Sequence, residues 1–197
     1  MIAGVLLAAG RSTRFGNDKL VALLAGRPVM SYAAASLAAV VDELYVVMPP
    51  GSSGRASALA DVRHRVVINE AVAGGMASSI AAGIAALPAA AEAAVVALGD
   101  QPLVSVDVVR ALLVAWRSSG ALVVAPRYRD GRGHPVLFSR DCFQRLRALE
   151  GDRGAAPLLA SFGSELVLVS VDEDAPLDVD TPEILDALAR RQPRPDS

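Results

Sequence analysis

The chain has a single cysteine and a single lysine in 197 residues. Without a second thiol, Cys142 can form neither an internal disulfide nor a zinc cluster of cysteines, so it reads as a small apolar helix residue suited to a reducing cytoplasm. Long apolar runs are missing too. Hydrophobic residues, many of them Ala, make up 53% of the chain, yet no stretch approaches the 20 or so residues that span a bilayer. A soluble chain with no membrane partner is expected. A formal net charge of −2 leaves no basic excess of the kind that nonspecific nucleic-acid binding demands. Residues 1–10 are apolar but lack a basic n-region and run straight into a glycine-rich turn, so a buried strand is expected there rather than a signal peptide. Eighteen of the 19 basic residues are arginine, and the exception is Lys19. An ammonium and a guanidinium differ in shape and hydration, so either the Lys19 site needs the smaller cation or the exception is chance.

The length suits one sizeable core and is short for two, so residues 1–190 are expected to form a single domain and residues 191–197 a flexible tail. Residues 2–9 are a continuous apolar run, the pattern of a strand buried on both faces of a parallel sheet. Residues 28–41 read as a helix with Pro28 in its first turn, followed by a β-branched strand over 44–48 and a Pro-Pro-Gly break. Strands over 65–68 and 94–98, with a glycine-flanked helix over 76–87 between them, continue the alternation. The expected fold is therefore α/β, a three-layer, open, mainly parallel, Rossmann-like sheet. Ser105 can cap a helix whose Val106, Val109, Leu113 and Trp116 share one face, with Trp116 in the core, before a fifth strand over 122–125. Beyond it come a turn-rich segment at 128–135, a short strand at 136–138, a helix after Ser139, a turn at 151–154 and a strand at 165–171. Thr181 and Pro182 then cap and open a last helix.

The strongest motif is Leu7-Ala8-Ala9-Gly10-Arg11-Ser12-Thr13-Arg14-Phe15-Gly16-Asn17-Asp18-Lys19. Its small residues let backbone N–H groups approach phosphates, and its cations neutralise them. The spacing fits neither G-x-G-x-x-G nor the Walker A pattern. A solvated basic turn is the alternative, weakened by the loop's place at the carboxyl end of the first strand, where open α/β sheets bind ligands. In Leu98-Gly99-Asp100-Gln101-Pro102, Asp100 is placed either as a hard oxygen ligand for Mg²⁺ or as a turn and cap residue. In Leu177-Asp178-Val179-Asp180-Thr181-Pro182-Glu183 the two aspartates face one way if the chain is extended, to coordinate a metal or to complement a helix dipole. Asn69-Glu70 and Gly74-Gly75-Met76-Ala77-Ser78-Ser79 offer N–H and hydroxyl donors at a helix start, for a base, ribose or phosphate, or else form an ordinary Ser-capped helix. Arg132-Gly133-His134-Pro135 sets an imidazole in a turn, to meet a second substrate, to act as an acid, or simply to hydrogen-bond at the surface.

Together with Gly151-Asp152-Arg153-Gly154-Ala155, these blocks stand in an order that resembles the MobA-like nucleotidyltransferases, and within them the molybdenum cofactor cytidylyltransferase (MocA-type) branch. The resemblance runs from Val5 to about Leu188. It implies a GT-A-like nucleotidyltransferase fold and, as activity, transfer of CMP from CTP to the terminal phosphate of molybdopterin cofactor with Mg²⁺ as cofactor. It further implies that Leu7, Ala8, Ala9, Gly10, Arg11, Ser12, Arg14, Gly16, Lys19, Gly75, Ser78 and Ser79 hold the nucleotide. On the same basis Arg11, Lys19 and Asp100 are catalytic, Asp100, Asp178 and Asp180 hold the metal, and Gln101, Arg132 and His134 meet the second substrate. Ala9 favours CTP, because the guanylyl-transferring branch has Gly at the matching position. The implied receiver of the product is a molybdenum hydroxylase of the xanthine dehydrogenase kind. One departure is Ala156, near which that branch carries a basic residue. The alternatives are a GTP-using or sugar-phosphate enzyme of the same fold, or a noncatalytic cofactor carrier. A carrier needs no metal–triphosphate site, so Arg11, Lys19, Asp100 and Asp180 argue against it.

Overall fold

A computed structural model describes residues 1–10 and 15–191 of the chain. Its central strand, β1 (Ile2–Leu7), is buried along its whole length. Side chains alternate across a strand, so Val5 and Leu7 enter one core cluster while Ile2 and Leu6 enter another on the opposite face. A strand apolar on both faces needs helices on both sides, and that requirement produces three layers.

β1 pairs in parallel with β4 (Glu43–Met48) on one side and with β6 (Ala93–Leu98) on the other. β5 (Arg65–Ile68) extends the sheet beyond β4, again in parallel. It is an exposed edge rather than a buried strand, with Val66 and Ile68 each 45% exposed. Past β6 the sheet continues through β9 (Val136–Ser139), β7 (Val123–Tyr128) and β10 (Leu166–Ser170). β9 is antiparallel to both its neighbours, whereas β10 is parallel to β7. The short β8 (Gly131–Arg132) turns back on the end of β7. The mainly parallel sheet thus carries one reversed strand near its centre.

Between β1 and β4, a two-residue hairpin of β2 (Leu23–Leu24) and β3 (Arg27–Pro28) precedes α1 (Val29–Ala38). Pro28 is the residue before the helix, and the helix stops three residues short of the expected end at 41. α1 and α4 (Val106–Ser119) cover one face. α3 (Gly75–Ala85), α5 (Phe143–Arg147) and α6 (Ala156–Ser161) cover the other. α3 lies unusually close to the sheet at Gly83, where a Cβ would stand 2.5 Å from Val5 Cγ1.

Ser105 caps α4 as its sequence predicts, its hydroxyl accepting from the Asp107 N–H at 3.2 Å. The face α4 buries is Val108, Val109, Leu112 and Leu113, so Val106 and Trp116 lie at its margin. Trp116 is half-buried and packs against the core cluster from its margin rather than within it. α7 (Pro182–Arg191) starts after Thr181, whose hydroxyl accepts from the Ile184 N–H at 3.4 Å. Its Leu188 packs with Leu24, Val29 and Val179, which ties the last helix to the β2–β3 hairpin. Among the described residues no helix is long and apolar enough to cross a membrane.

Candidate active site

The carboxyl ends of β1 and β6 lie side by side, and each delivers a functional segment to the same crevice, the usual ligand position in an open α/β sheet. Past β1, Ala8 and Ala9 stay buried, and the Gly99 N–H donates to the Leu7 carbonyl at 2.9 Å. That bond sets Asp100 beside the mouth of the glycine-rich loop. The Val179 N–H donates to the Asp100 carbonyl at 2.9 Å, which brings in the segment before α7 from the other end of the chain. Val179 itself is fully buried, so the aspartates flanking it face the crevice.

Lys19 ties these segments together. Its ammonium donates to Asp100 Oδ2 at 2.6 Å and to Asp180 Oδ1 at 2.7 Å, and the residue is only 9% exposed. Burial alone pulls the Lys19 pKa down, but hydrogen bonds to the two aspartates and their charges outweigh it and raise the value. Asp178 Oδ1 accepts from Gln101 Nε2 at 2.8 Å. Its pKa is raised, first by burial and then by the neighbouring charge of Asp100, with Asp180 adding to the effect. Three carboxylates therefore crowd one ammonium.

The crevice opens into a cavity of about 520 Å³. Its sheet side is formed by Leu7, Ala9, Gly10, Leu20, Leu98 and Asp100, and its far wall by Val72, Ala73, Gly75, Met76, Ser79 and Asp152. That volume is in the range of small-molecule sites, and the mixture of apolar walls with a few convergent polar groups is typical of them. A second cavity of about 190 Å³ adjoins it, with Met76 lining both. Arg132, His134 and Arg153 supply its polar groups, over an apolar floor that includes Val96 and Phe138. Burial holds the His134 pKa below its ordinary value; the charge of Asp100 offsets this in part and Arg132 adds to it. Tyr128 donates to the His134 carbonyl at 2.8 Å and fixes that turn.

Most of the sequence-predicted residues converge here, but not all in the expected manner. Leu7, Ala9, Gly10, Gly75, Ser79 and Asp100 line the larger cavity, and Arg132 and His134 the smaller. Ala8 is turned into the core on the opposite face of the sheet. Gly16 is exposed on the loop, with open space where a side chain would be. Ser78 is held within its own helix turn, donating to the Gly75 carbonyl at 2.8 Å and accepting from Asn69 Nδ2 at 2.9 Å. Gln101, expected on the second substrate, is 7% exposed and instead steadies Asp178 from below. Arg11, Ser12 and Arg14, like residues 192–197 of the tail, lie outside the described residues.

The donor chemistry of Asp100, Asp178 and Asp180 fits a hard divalent ion such as Mg²⁺, since excess carboxylate charge is gathered around a single cation. A coordinating set is not preassembled, however. Among the described residues no group of three or more acidic, histidine or cysteine side chains is arranged to hold a metal. Asp100 and Asp180 are engaged by Lys19, and Asp178 by Gln101.

Three residues carry a site role that the sequence did not assign to them. Asp152 reaches the larger cavity because its loop packs against Gly75, at φ 71°, where a Cβ would collide with Asp152 Oδ1 at 1.8 Å. Arg153 stands beside Ala156 in the smaller cavity and supplies a cation where the resemblance called for one nearby. Arg55, from the short α2 (Ser53–Ser57), is buried beneath the glycine-rich loop, and its sequence context of Gly, Ser and Ala gave no signal.

Comparison with known proteins agrees with this geometry. The MobA-like NTP transferase domain matches residues 4–167. The purine catabolism protein PucB of Bacillus subtilis is 31% identical over 200 residues, covering 96% of each chain. A probable molybdenum cofactor guanylyltransferase from Thermococcus gammatolerans is 32% identical over 135 residues, 68% of this chain and 66% of its own. The crystal structure of Rv0371c from Mycobacterium tuberculosis superposes with a TM-score of 0.83 at 32% identity, covering 96% of this chain and 97% of that one. Its complex with manganese gives a TM-score of 0.79 at 30% identity, over 97% and 99% of the two chains. Fold, crevice and sequence agree that the chain belongs to the MobA-like NTP transferase family.

Proposed function

We propose that the protein transfers CMP from CTP to the terminal phosphate of molybdopterin cofactor, releasing pyrophosphate. The observation that carries this reading is the knot of Lys19, Asp100 and Asp180, whose Asp100 lines a nucleoside-sized cavity, next to a second cavity lined by two arginines. The acceptor class is supported by the relatives named for molybdenum cofactor chemistry, and the choice of CTP by Ala9 on the cavity wall.

The acceptor phosphate is already an anion, so no general base is required. One of its oxygens forms a bond to the α-phosphorus as the bond to the β-phosphate oxygen breaks, and the electron pair leaves with pyrophosphate. Lys19, together with Arg11, neutralises the charge that develops on that leaving group. Asp100 with Asp178 or Asp180 would hold Mg²⁺, which supplies Lewis-acid polarisation of the phosphates when bound; the manganese complex of a related structure supports a divalent ion here. His134 is neutral near pH 7 because its pKa is lowered by burial, so it orients the acceptor by hydrogen bonding rather than serving as an acid. Arg132 and Arg153 attract the acceptor's phosphate.

A GTP-using reaction is the second reading, favoured by the guanylyltransferase names among the relatives. The name of PucB ties that relative to purine catabolism, which fits a molybdenum hydroxylase of the xanthine dehydrogenase kind as receiver of the product. The test is pyrophosphate release with CTP, GTP, ATP and UTP in turn, with Mg²⁺ and molybdopterin cofactor. Release with CTP alone is expected; release with GTP assigns the sister activity, and release with none overturns the acceptor.

A further inference from the structure

Among the described residues, Lys19 and Arg55 are the buried cations. Arg55 is 6% exposed, and its guanidinium is used from end to end. Nη1 donates to the Ala8 carbonyl and Nη2 to the Gly10 carbonyl at 2.9 Å. Nε donates to Asp18 Oδ2 at 2.7 Å, and Nη2 also reaches Asp18 Oδ1 at 3.0 Å. Ala8 and Gly10 are where the chain leaves β1 for the glycine-rich loop, and Asp18 is where it returns, one residue before Lys19. A single side chain therefore holds both ends of the loop from below. Asp18 is itself locked, since its Oδ1 accepts from the Leu20 N–H at 3.2 Å across Lys19.

We infer that Arg55 is a positioning residue for nucleotide binding: it clamps the entry and exit of the glycine-rich loop and thereby fixes where the Lys19 ammonium stands. The inference rests on the reading of that loop as the triphosphate site. Its chemistry demands arginine, because one planar group must serve two carbonyls and a bidentate carboxylate at once. A lysine keeps the charge but offers a single point of attachment. Such a clamp holds the Lys19 ammonium in place before the nucleotide binds, so its loss should weaken nucleotide binding rather than acceptor binding.

The test compares the wild type with Arg55→Lys and, should that variant fold poorly, Asp18→Asn, which keeps the shape and the acceptor to Leu20 but removes the charge. Amide hydrogen exchange over residues 8–20 is measured without nucleotide, CTP affinity is measured without acceptor, and acceptor KM in full turnover. The expected result is faster exchange confined to residues 8–20, CTP binding weakened tenfold or more, and an unchanged acceptor KM. Unchanged loop exchange in both variants overturns the clamp, whatever the nucleotide data show. Faster exchange with unaltered CTP affinity overturns its role in binding. If exchange quickens but the wild type binds no nucleoside triphosphate, the clamp stands and the triphosphate reading of the loop falls.

Discussion

The two halves of the crevice hold their cations in opposite ways. On the side proposed for the nucleotide, Lys19 and Arg55 are buried, and each is already bound to two or more oxygens. On the side proposed for the acceptor, Arg132 and Arg153 are exposed, and among the described residues their side chains form no ion pair. The first arrangement is preorganised: its charges are placed by the fold before any ligand arrives, as a centre that must stabilise developing charge requires. The second gains its order from the ligand. Charges on the nucleotide side should therefore govern turnover, and those on the acceptor side affinity.

The largest effect that could break this contrast is expected from Lys19→Met. It removes the only ammonium in the crevice and leaves Asp100 and Asp180 facing each other, so kcat should fall by about 10² or more, as when a single charge-stabilising donor is lost. A loss confined to KM, seen in steady-state pyrophosphate release, would contradict preorganisation. An intermediate effect is expected from Arg132→Ala and Arg153→Ala. Each should raise acceptor KM about tenfold, the scale of one charge-assisted hydrogen bond, with CTP affinity unchanged in equilibrium titrations.

The smallest effect is a pH dependence on the acceptor side. The folded His134 has a pKa below its ordinary 6.5, so the folded chain binds that proton less readily than the unfolded one. Its contribution to stability is present above pH 6.5 and is lost as the pH falls through the lower folded value. His134→Gln should flatten the melting temperature in that acidic window and leave it unchanged at pH 8. A wild-type melting profile that does not steepen there relative to the variant would place His134 in solvent.

The parts of the fold readable in the sequence are those with a period. β1, β4 and β6 show as apolar runs because the sheet is covered on both faces. The β2–β3 hairpin has two residues per strand and the six residues of α6 begin on Ala-Pro, so neither is long enough to show a pattern. The reversed direction of β9 is set by its two neighbours rather than by its own residues. In the candidate site, Lys19 stood out by rarity and Asp100 by its place after a buried strand, although they meet across 81 residues. Arg55 left no such trace because three of the oxygens it holds are two backbone carbonyls and one end of a carboxylate 37 residues away. Gln101 and Ser78 show why sequence alone cannot aim a side chain: a polar residue beside a site can equally bond its supports, as these two do with Asp178 and with Gly75 and Asn69.

Met76 lines both cavities, and it is 38% exposed. A Cβ at Gly154 would stand 2.6 Å from its sulfur, so the glycine is what lets the chain pass close against the thioether. Methionine is unbranched and deformable. A ligand that displaced this shared side chain from one cavity would change the wall of the other, and by reciprocity any such coupling would alter both affinities by the same factor.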